Sequence, residues 1–299
     1  MTTPADYART YASLFTWFWD GENWLAKRAP IINYLQHNDS QQDRRAAGAM
    51  RDLRALLPGA TGIKNVNQLK TFNFNEYDYI NNSITRCFIG KACPWEIQET
   101  LQLVSEIEAI DEAGLIDYCR SSLGVDCGGF VANYWGEACP HMVDTAPVGW
   151  NGILPRGFWS NTQIWPDIMS RRRQKASAVS VGDAAIFFKD VKDNNPDIAK
   201  QRDSNGKLIQ GTGSEAFHIG VVNSVGYSGD DFTALGIAES AGSPSIYGGT
   251  GVNVRDANVV DSGLSGKWVY CQTGANERVY FVAPPAGWGP EPAYGIGDT

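Results

Sequence analysis

The chain has 299 residues, of which 43% are hydrophobic and 19% charged, a composition typical of a soluble globular protein with an ample core. Its 25 basic and 33 acidic residues give a net charge of −8, which argues against nucleic acid or an anionic membrane as the main partner. No apolar run approaches the ~18 residues that a membrane span requires. Residues 1–20 lack the basic and apolar regions of a signal peptide, so we expect synthesis in the cytoplasm.

The first 115 residues carry helical patterns, and we expect them to form a helical N-terminal region. Residues 4–20 are helix-like and crowded with aromatic side chains, for which core packing is a better explanation than a sugar-binding surface. Apolar residues at helical spacing predict a second helix over 40–57. A third begins at Pro94, and we expect its acidic residues to face solvent: Glu96, Glu99, Glu106 and Glu108.

A shorter helical pattern begins at Cys127, between a possible N-cap at Asp126 and a possible stop at Gly136. Its buried stripe would be formed by Phe130, Val131, Tyr134 and Trp135. A thiol in the first turn of a helix lies near unpaired backbone amides, which favour the thiolate, the nucleophilic form. Cys127 is therefore a candidate nucleophile, and the alternative is an inert core thiol.

From residue 179 onward the pattern changes to β structure. Five apolar runs, separated by Gly, Asp, Asn and Ser, predict strands over 184–188, 217–225, 232–239, 267–271 and 278–282. The polar segment 189–215 is typical of a loop, and the Pro- and Gly-rich tail 284–299 is typical of an extended or disordered segment. The short basic run 170–175 is interpreted as a solvated loop.

His218 is the candidate general base that a cysteine nucleophile requires, since it begins a predicted strand and has apolar neighbours on both sides. The turn signal after that strand predicts a hairpin. With the turn centred between residues 228 and 229, His218 lies directly opposite Glu239, whose carboxylate would orient the imidazole. A half-step change of register would place Ala238 or Ser240 there instead.

The six cysteines are Cys87, Cys93, Cys119, Cys127, Cys139 and Cys271. Cys87 and Cys93 could close a small loop through a disulfide, and the alternative is buried free thiols throughout. No cysteine pair has zinc-ligand spacing with a histidine nearby, so we expect no metal site and no cofactor.

Three segments resemble motifs of the NlpC-type cell-wall cysteine peptidases, members of the papain-like superfamily. Segment 126–131 (DCGGFV) is similar to the nucleophile motif, in which the family usually has Ser where this chain has Gly128. Segments 181–188 (VGDAAIFF) and 217–222 (FHIGVV) are similar to the family's Gly-Asp strand and histidine strand, in the same order. We interpret Asp183 in the second motif as a turn residue whose carboxylate binds local amides.

The resemblance covers roughly residues 116–283 and implies an α+β fold with a papain-like NlpC-type core, in which the cysteine helix packs on an antiparallel sheet. It implies Cys127 as nucleophile and His218 as base, and it agrees with Glu239, because the family has a polar residue at the matching place. The backbone N–H of Cys127 is the simplest oxyanion donor. Tyr118 and Gly128 are the further candidates for the oxyanion-binding or substrate-binding part.

The function that the resemblance implies is cleavage of an amide bond in the stem peptides of peptidoglycan. Two alternatives are a cytosolic thiol acyltransferase or deamidase of the same fold, and a non-catalytic binding module. For a wall enzyme without a signal peptide, we expect export to the periplasm or cell wall by a non-Sec route. Such a route is that of antibacterial effectors delivered by type VI secretion or phage-like particles, which an immunity protein would inhibit.

Overall fold

The computed structural model describes residues 2–19, 22–31, 33–35, 87–88, 90–107, 112–138, 170–189, 215–244, 250–264, 266–271 and 277–284. The chain divides into two compact units. We call residues 1–8, 127–241 and 253–299 the sheet unit, and residues 9–126 and 242–252 the hairpin unit.

The division between the units falls between Asp126 and Cys127, whereas the domain boundary predicted from the sequence lies between residues 115 and 116. The helix predicted over 40–57 and the tail beyond residue 284 lie outside the described residues.

The N-terminal region contains both helices and a small sheet. Helix α1 is Pro4–Ala12, and strands β1 (Phe15–Trp19) and β2 (Trp24–Arg28) form an antiparallel pair. Helices α2 (Pro94–Ile107) and α3 (Glu112–Ser122) follow in the hairpin unit. The described part of this region is therefore mixed, and the prediction of helices alone missed β1 and β2.

The aromatic residues near the N-terminus divide between core and surface. Tyr7 and Tyr11 in α1 are fully buried, as the sequence predicts. Phe15 and Trp17 are 36% and 45% exposed, so core packing is the wrong prediction for these two. They alternate along β1 with the buried Thr16, because successive side chains of a strand point to opposite faces.

Helix α2 begins at Pro94 as predicted, but Glu96 does not face solvent. Its carboxylate is buried and accepts a hydrogen bond of 2.8 Å from the backbone N–H of Cys93. A glutamate three residues after the N-cap commonly closes the first turn in this way. Glu96 therefore stabilises the start of α2 instead of solvating its outer face.

Helix α4, Cys127–Ala138, carries the candidate nucleophile at its first position. The four residues of its predicted stripe are all buried: Phe130, Val131, Tyr134 and Trp135. The indole N–H of Trp135 donates a 2.9 Å hydrogen bond to the carbonyl of Gly182, and α4 packs against strand β4, Glu215–Ser228. The helix continues through Gly136, so the predicted stop at that glycine is wrong.

In the second half of the chain, the described strands form one sheet of seven strands. The other strands are β3 (Ala184–Lys189), β5 (Asp231–Pro244), β6 (Thr250–Asp256), β7 (Val259–Leu264), β8 (Lys267–Tyr270) and β9 (Glu277–Val282). Their order across the sheet is β6-β5-β4-β3-β9-β8-β7. The pairs β5–β4, β4–β3, β3–β9, β9–β8 and β8–β7 are all antiparallel.

The described chain therefore contains helices and an antiparallel sheet, which agrees with the α+β part of the predicted fold class. All five predicted strands are present. Strands β6 and β7 were not predicted, because Gly, Asn and Asp in these short segments are also typical of turns.

The basic run 170–175 is mostly a loop, as predicted, but its three arginines are half-buried and the residues exposed to solvent are Ser170, Gln174 and Lys175. The Arg171 guanidinium donates to the carbonyl of Ala283, and Arg172 stacks over the Tyr280 ring at 5.0 Å. Arg173 donates two hydrogen bonds of 2.9 Å to Asp183. These arginines connect the segment to the end of β9 and to the turn before β3.

Asp183 has the turn role that its motif predicts. Its carboxylate is 1% exposed and accepts a 2.9 Å hydrogen bond from the backbone N–H of Ser180, besides the two from Arg173. The preceding Gly182 has φ +95°, which L side chains rarely adopt. The Gly-Asp motif thus builds the turn into β3.

Asp183→Asn keeps the size of the side chain but removes the charge that Arg173 pairs with. We expect the free energy of unfolding to fall by about 1–3 kcal/mol, measured by chemical denaturation of the whole chain. Asp230→Asn, the same change in the exposed turn after β4, should alter it by less than about 0.5 kcal/mol. Equal stabilities of the two variants would contradict a structural role for Asp183.

Candidate active site

Cys127 and His218 come together in the sheet unit. The Cys127 side chain is buried with the first turn of α4, and His218 lies on β4, which packs against that helix. The thiol lies close enough to the imidazole to raise the pKa of His218. The preceding Asp126, the predicted N-cap, is buried and ion-paired with Lys91.

Glu239 on β5 accepts a 2.8 Å hydrogen bond from Nε2 of His218. Because Nε2 is directed at Glu239, Nδ1 is the ring nitrogen left for Cys127. The Phe187 ring, directly opposite His218 on β3, lies 5.5 Å from the imidazole centroid and limits its rotation. The imidazole is therefore held between a thiol and a carboxylate.

The register that the sequence predicts for this contact is wrong by two residues. Gly220 is the residue paired with Glu239, and the two-residue turn is Gly229–Asp230, one residue later than predicted. A shift by two residues keeps every side chain on its face of the sheet, because the strand period is two. His218 and Glu239 are consequently diagonal neighbours on one face, within reach of long side chains. Ser240, the alternative partner, follows Glu239 and points to the other face.

Gly220 of the histidine motif makes room for this diagonal contact. A Cβ atom at this position would lie 2.5 Å from Cγ2 of Ile237 and 3.2 Å from Cβ of Glu239. Contacts below 3.0 Å require a neighbour to move, and Ile237 is fully buried. The motif's glycine is thus explained by the close approach of β5.

Arg255 on β6 is a site residue that the sequence analysis missed. Its Nε lies 2.5 Å from Oε1 of Glu239 and its Nη2 lies 3.0 Å from Oε2. Its Nη1 donates to the hydroxyl of Tyr270. The available signal was the alternation of Val252 and Val254, which indicates a strand, but the sequence does not show that this strand lies beside β5.

Burial and charge oppose each other at the site. Burial lowers the pKa of His218, but hydrogen bonds and charge interactions with Cys127 and Glu239 outweigh it and raise the pKa to about 10. Burial raises the pKa of Glu239, but His218 and Arg255 outweigh it and lower the pKa to about 2. At neutral pH the imidazole is therefore protonated and the carboxylate ionised.

This arrangement contains the three groups of a cysteine-dependent acyl transfer. A thiol beside an imidazolium is favoured as the thiolate, which can attack a carbonyl carbon. The imidazolium can then give its proton to a leaving group, and the carboxylate keeps the ring oriented.

The two remaining predicted site residues lie in different units. Gly128 is buried in the first turn of α4, next to the nucleophile. Tyr118 is half-buried on α3 in the hairpin unit, and its oxyanion role stays a prediction.

The other described cysteines do not form disulfides. Cys87 and Cys93 are buried and are not joined by a disulfide, which agrees with the alternative of buried thiols. Burial raises the pKa of Cys119 to about 12, against a smaller opposing backbone hydrogen bond, which makes it a poor nucleophile. Cys271 is free and exposed, and Cys139 lies outside the described residues.

Within the described ranges, no group of three or more His, Cys, Asp and Glu side chains is placed to hold a metal ion. None of the helices in that part of the chain has the length and hydrophobicity that a bilayer crossing requires. Comparison of the chain with models of known protein families, with characterised proteins and with solved structures finds no match.

Cys127 should react with iodoacetamide before Cys271 at neutral pH, although Cys127 is 6% exposed and Cys271 lies at the surface. The imidazole of His218 lies beside Cys127 and is the group that can activate this thiol for attack. Limited labelling followed by peptide mass spectrometry measures the order. Cys271→Ser should not change the rate at Cys127, and first labelling of any other cysteine would reject the nucleophile assignment.

The stability that Glu239 contributes should depend on pH in a known direction. Its pKa is lowered on folding from 4.5 to about 2, so the contribution is complete above 4.5 and is lost as the pH falls towards 2. The difference in unfolding midpoint between wild type and Glu239→Gln should shrink over that interval. A difference that stays constant from pH 6 to about pH 2 would show that Glu239 does not ionise as the contacts indicate.

Proposed function

We propose that this chain is a cysteine hydrolase that cleaves an amide bond in the stem peptides of peptidoglycan, with a papain-like NlpC-type core in the sheet unit. The observation that carries the proposal is the imidazole of His218, which bridges Cys127 at the start of a helix and Glu239 on the sheet. Burying charged groups is costly, so a buried thiol, imidazole and carboxylate next to one another are better explained by catalysis than by packing.

The proposed reaction begins with attack of the Cys127 thiolate on the carbonyl carbon of the substrate amide. The backbone N–H groups of the first turn of α4 would stabilise the resulting oxyanion. His218 gives its proton to the leaving amine, the C–N bond breaks and a thioester forms. His218 then takes a proton from water, which attacks the thioester and releases the carboxylic acid and the free thiol.

The substrate class rests on the resemblance of the three motifs to the NlpC-type peptidases. Their places in the structure support it: the cysteine motif starts α4, the Gly-Asp motif builds the turn into β3, and the histidine motif lies on β4 beside β3. The chemistry of the site supports a thiol hydrolase, and the motif order supports the wall peptide as its substrate.

Incubation of purified sacculi with the protein tests the proposal. Mass spectrometry of the soluble products should show shortened stem peptides with wild type and none with Cys127→Ala. We expect His218→Ala to lower the rate by about 10²–10⁴-fold, because it removes the general base and acid. Asp230→Asn serves as a control that changes a charge in the exposed turn after β4.

The outcomes also separate the alternative functions. A reactive Cys127 without cleavage of sacculi or isolated muropeptides would reject the wall substrate and favour an acyltransferase or deamidase. An unreactive Cys127 in the folded protein would favour a binding module without catalysis. Equal product formation by wild type and Cys127→Ala would reject the nucleophile.

A further inference from the structure

We propose that Arg255 is a positioning residue that holds the Glu239 carboxylate in one orientation towards His218, a role that rests on the proposed function. The first observation is the fork, a pair of hydrogen bonds from the guanidinium of Arg255 to the two carboxylate oxygens of Glu239. Nε and Nη2 of the guanidinium bind different oxygens of the carboxylate, at 2.5 and 3.0 Å. Two parallel hydrogen bonds prevent rotation of the carboxylate, so Oε2 stays directed at Nε2 of His218.

The guanidinium is itself fixed by its surroundings. It stacks over the rings of Tyr270 and Phe187, at 5.3 and 5.8 Å, and it donates to the Tyr270 hydroxyl. The Phe187 ring also lies against the imidazole of His218. A planar cation that contacts two neighbouring aromatic rings has few accessible rotamers, and a flexible lysine ammonium would not reproduce this arrangement.

The charges at the site explain why a permanent cation is required there. The groups that face Glu239 are His218 from β4 and Arg255 from β6, while Cys127 from α4 and Tyr270 from β8 contact these two. His218 loses its positive charge each time it protonates a leaving group. Arg255 stays charged throughout, so the buried carboxylate keeps one cationic partner during the whole cycle.

Alkylation of Cys127 by iodoacetamide, measured from pH 3 to pH 9, tests the proposal without a substrate. In Arg255→Met, the carboxylate loses its permanent partner and protonates more readily, so it stabilises the His218 imidazolium beside Cys127 less well. We expect the acidic limb of the rate profile to move up by about one pH unit, which is about a tenfold loss of rate on that limb. Arg255→Lys, which keeps the charge without the fork, should fall between wild type and Arg255→Met.

A double-mutant cycle separates positioning from general destabilisation. If Arg255 acts through Glu239, the Arg255→Lys change should have little effect once Glu239→Gln is present. Arg173→Met breaks the fork with Asp183, which does not touch His218, and should lower stability without moving the profile. The lysine variant keeps the test available if the methionine variant does not fold.

The results test the role of Arg255 separately from the proposal that peptidoglycan is the substrate. An unmoved acidic limb in the folded Arg255 variants, or a full additive effect in the Glu239→Gln background, would overturn the positioning role. A shifted limb in a protein that leaves sacculi intact would confirm the role and reject peptidoglycan as the substrate. Cleavage of sacculi with an unmoved limb would reject the role of Arg255 alone.

Discussion

The buried carboxylate of Glu239 is the group on which the rest of the site depends. A carboxylate that is 1% exposed is costly to bury unless cations and hydrogen bonds replace its lost hydration. His218 and Arg255 supply both, one from each neighbouring strand, and together they outweigh the burial. The carboxylate in turn keeps the imidazole protonated and oriented towards Cys127.

This dependence ties the chemistry to the register of the sheet. His218, Glu239 and Arg255 lie on three adjacent strands, so a slip of one residue in any pairing would turn one of them to the opposite face. Strands β4 and β5 pair with two irregularities, between Val222 and Ser224 and between Gly226 and Tyr227. The hairpin nevertheless returns to a register in which the imidazole and the carboxylate share a face.

The site also separates three tasks among groups with different chemical properties. In the proposed reaction, the thiol at the helix start forms and breaks bonds, and the imidazole moves protons. The carboxylate and the guanidinium exchange no proton at neutral pH, because the pKa of Glu239 is about 2 and that of Arg255 is raised further by the carboxylate. The ion pair of Glu239 and Arg255 therefore keeps the imidazole of His218 in one orientation while the ring gains and loses a proton.

Local patterns in the sequence were sufficient to predict the α+β class, the cysteine helix with its buried stripe, five of the strands and the contact between His218 and Glu239. Each of these depends on residues close together along the chain or on one hairpin. The sequence did not predict the two-residue register shift, the place of the Arg255 strand beside β5 or the exposed aromatic side chains of β1. These features depend on which distant segments become neighbours, and the free energy of such pairings is set by packing and charge across the folded sheet, which no local pattern encodes.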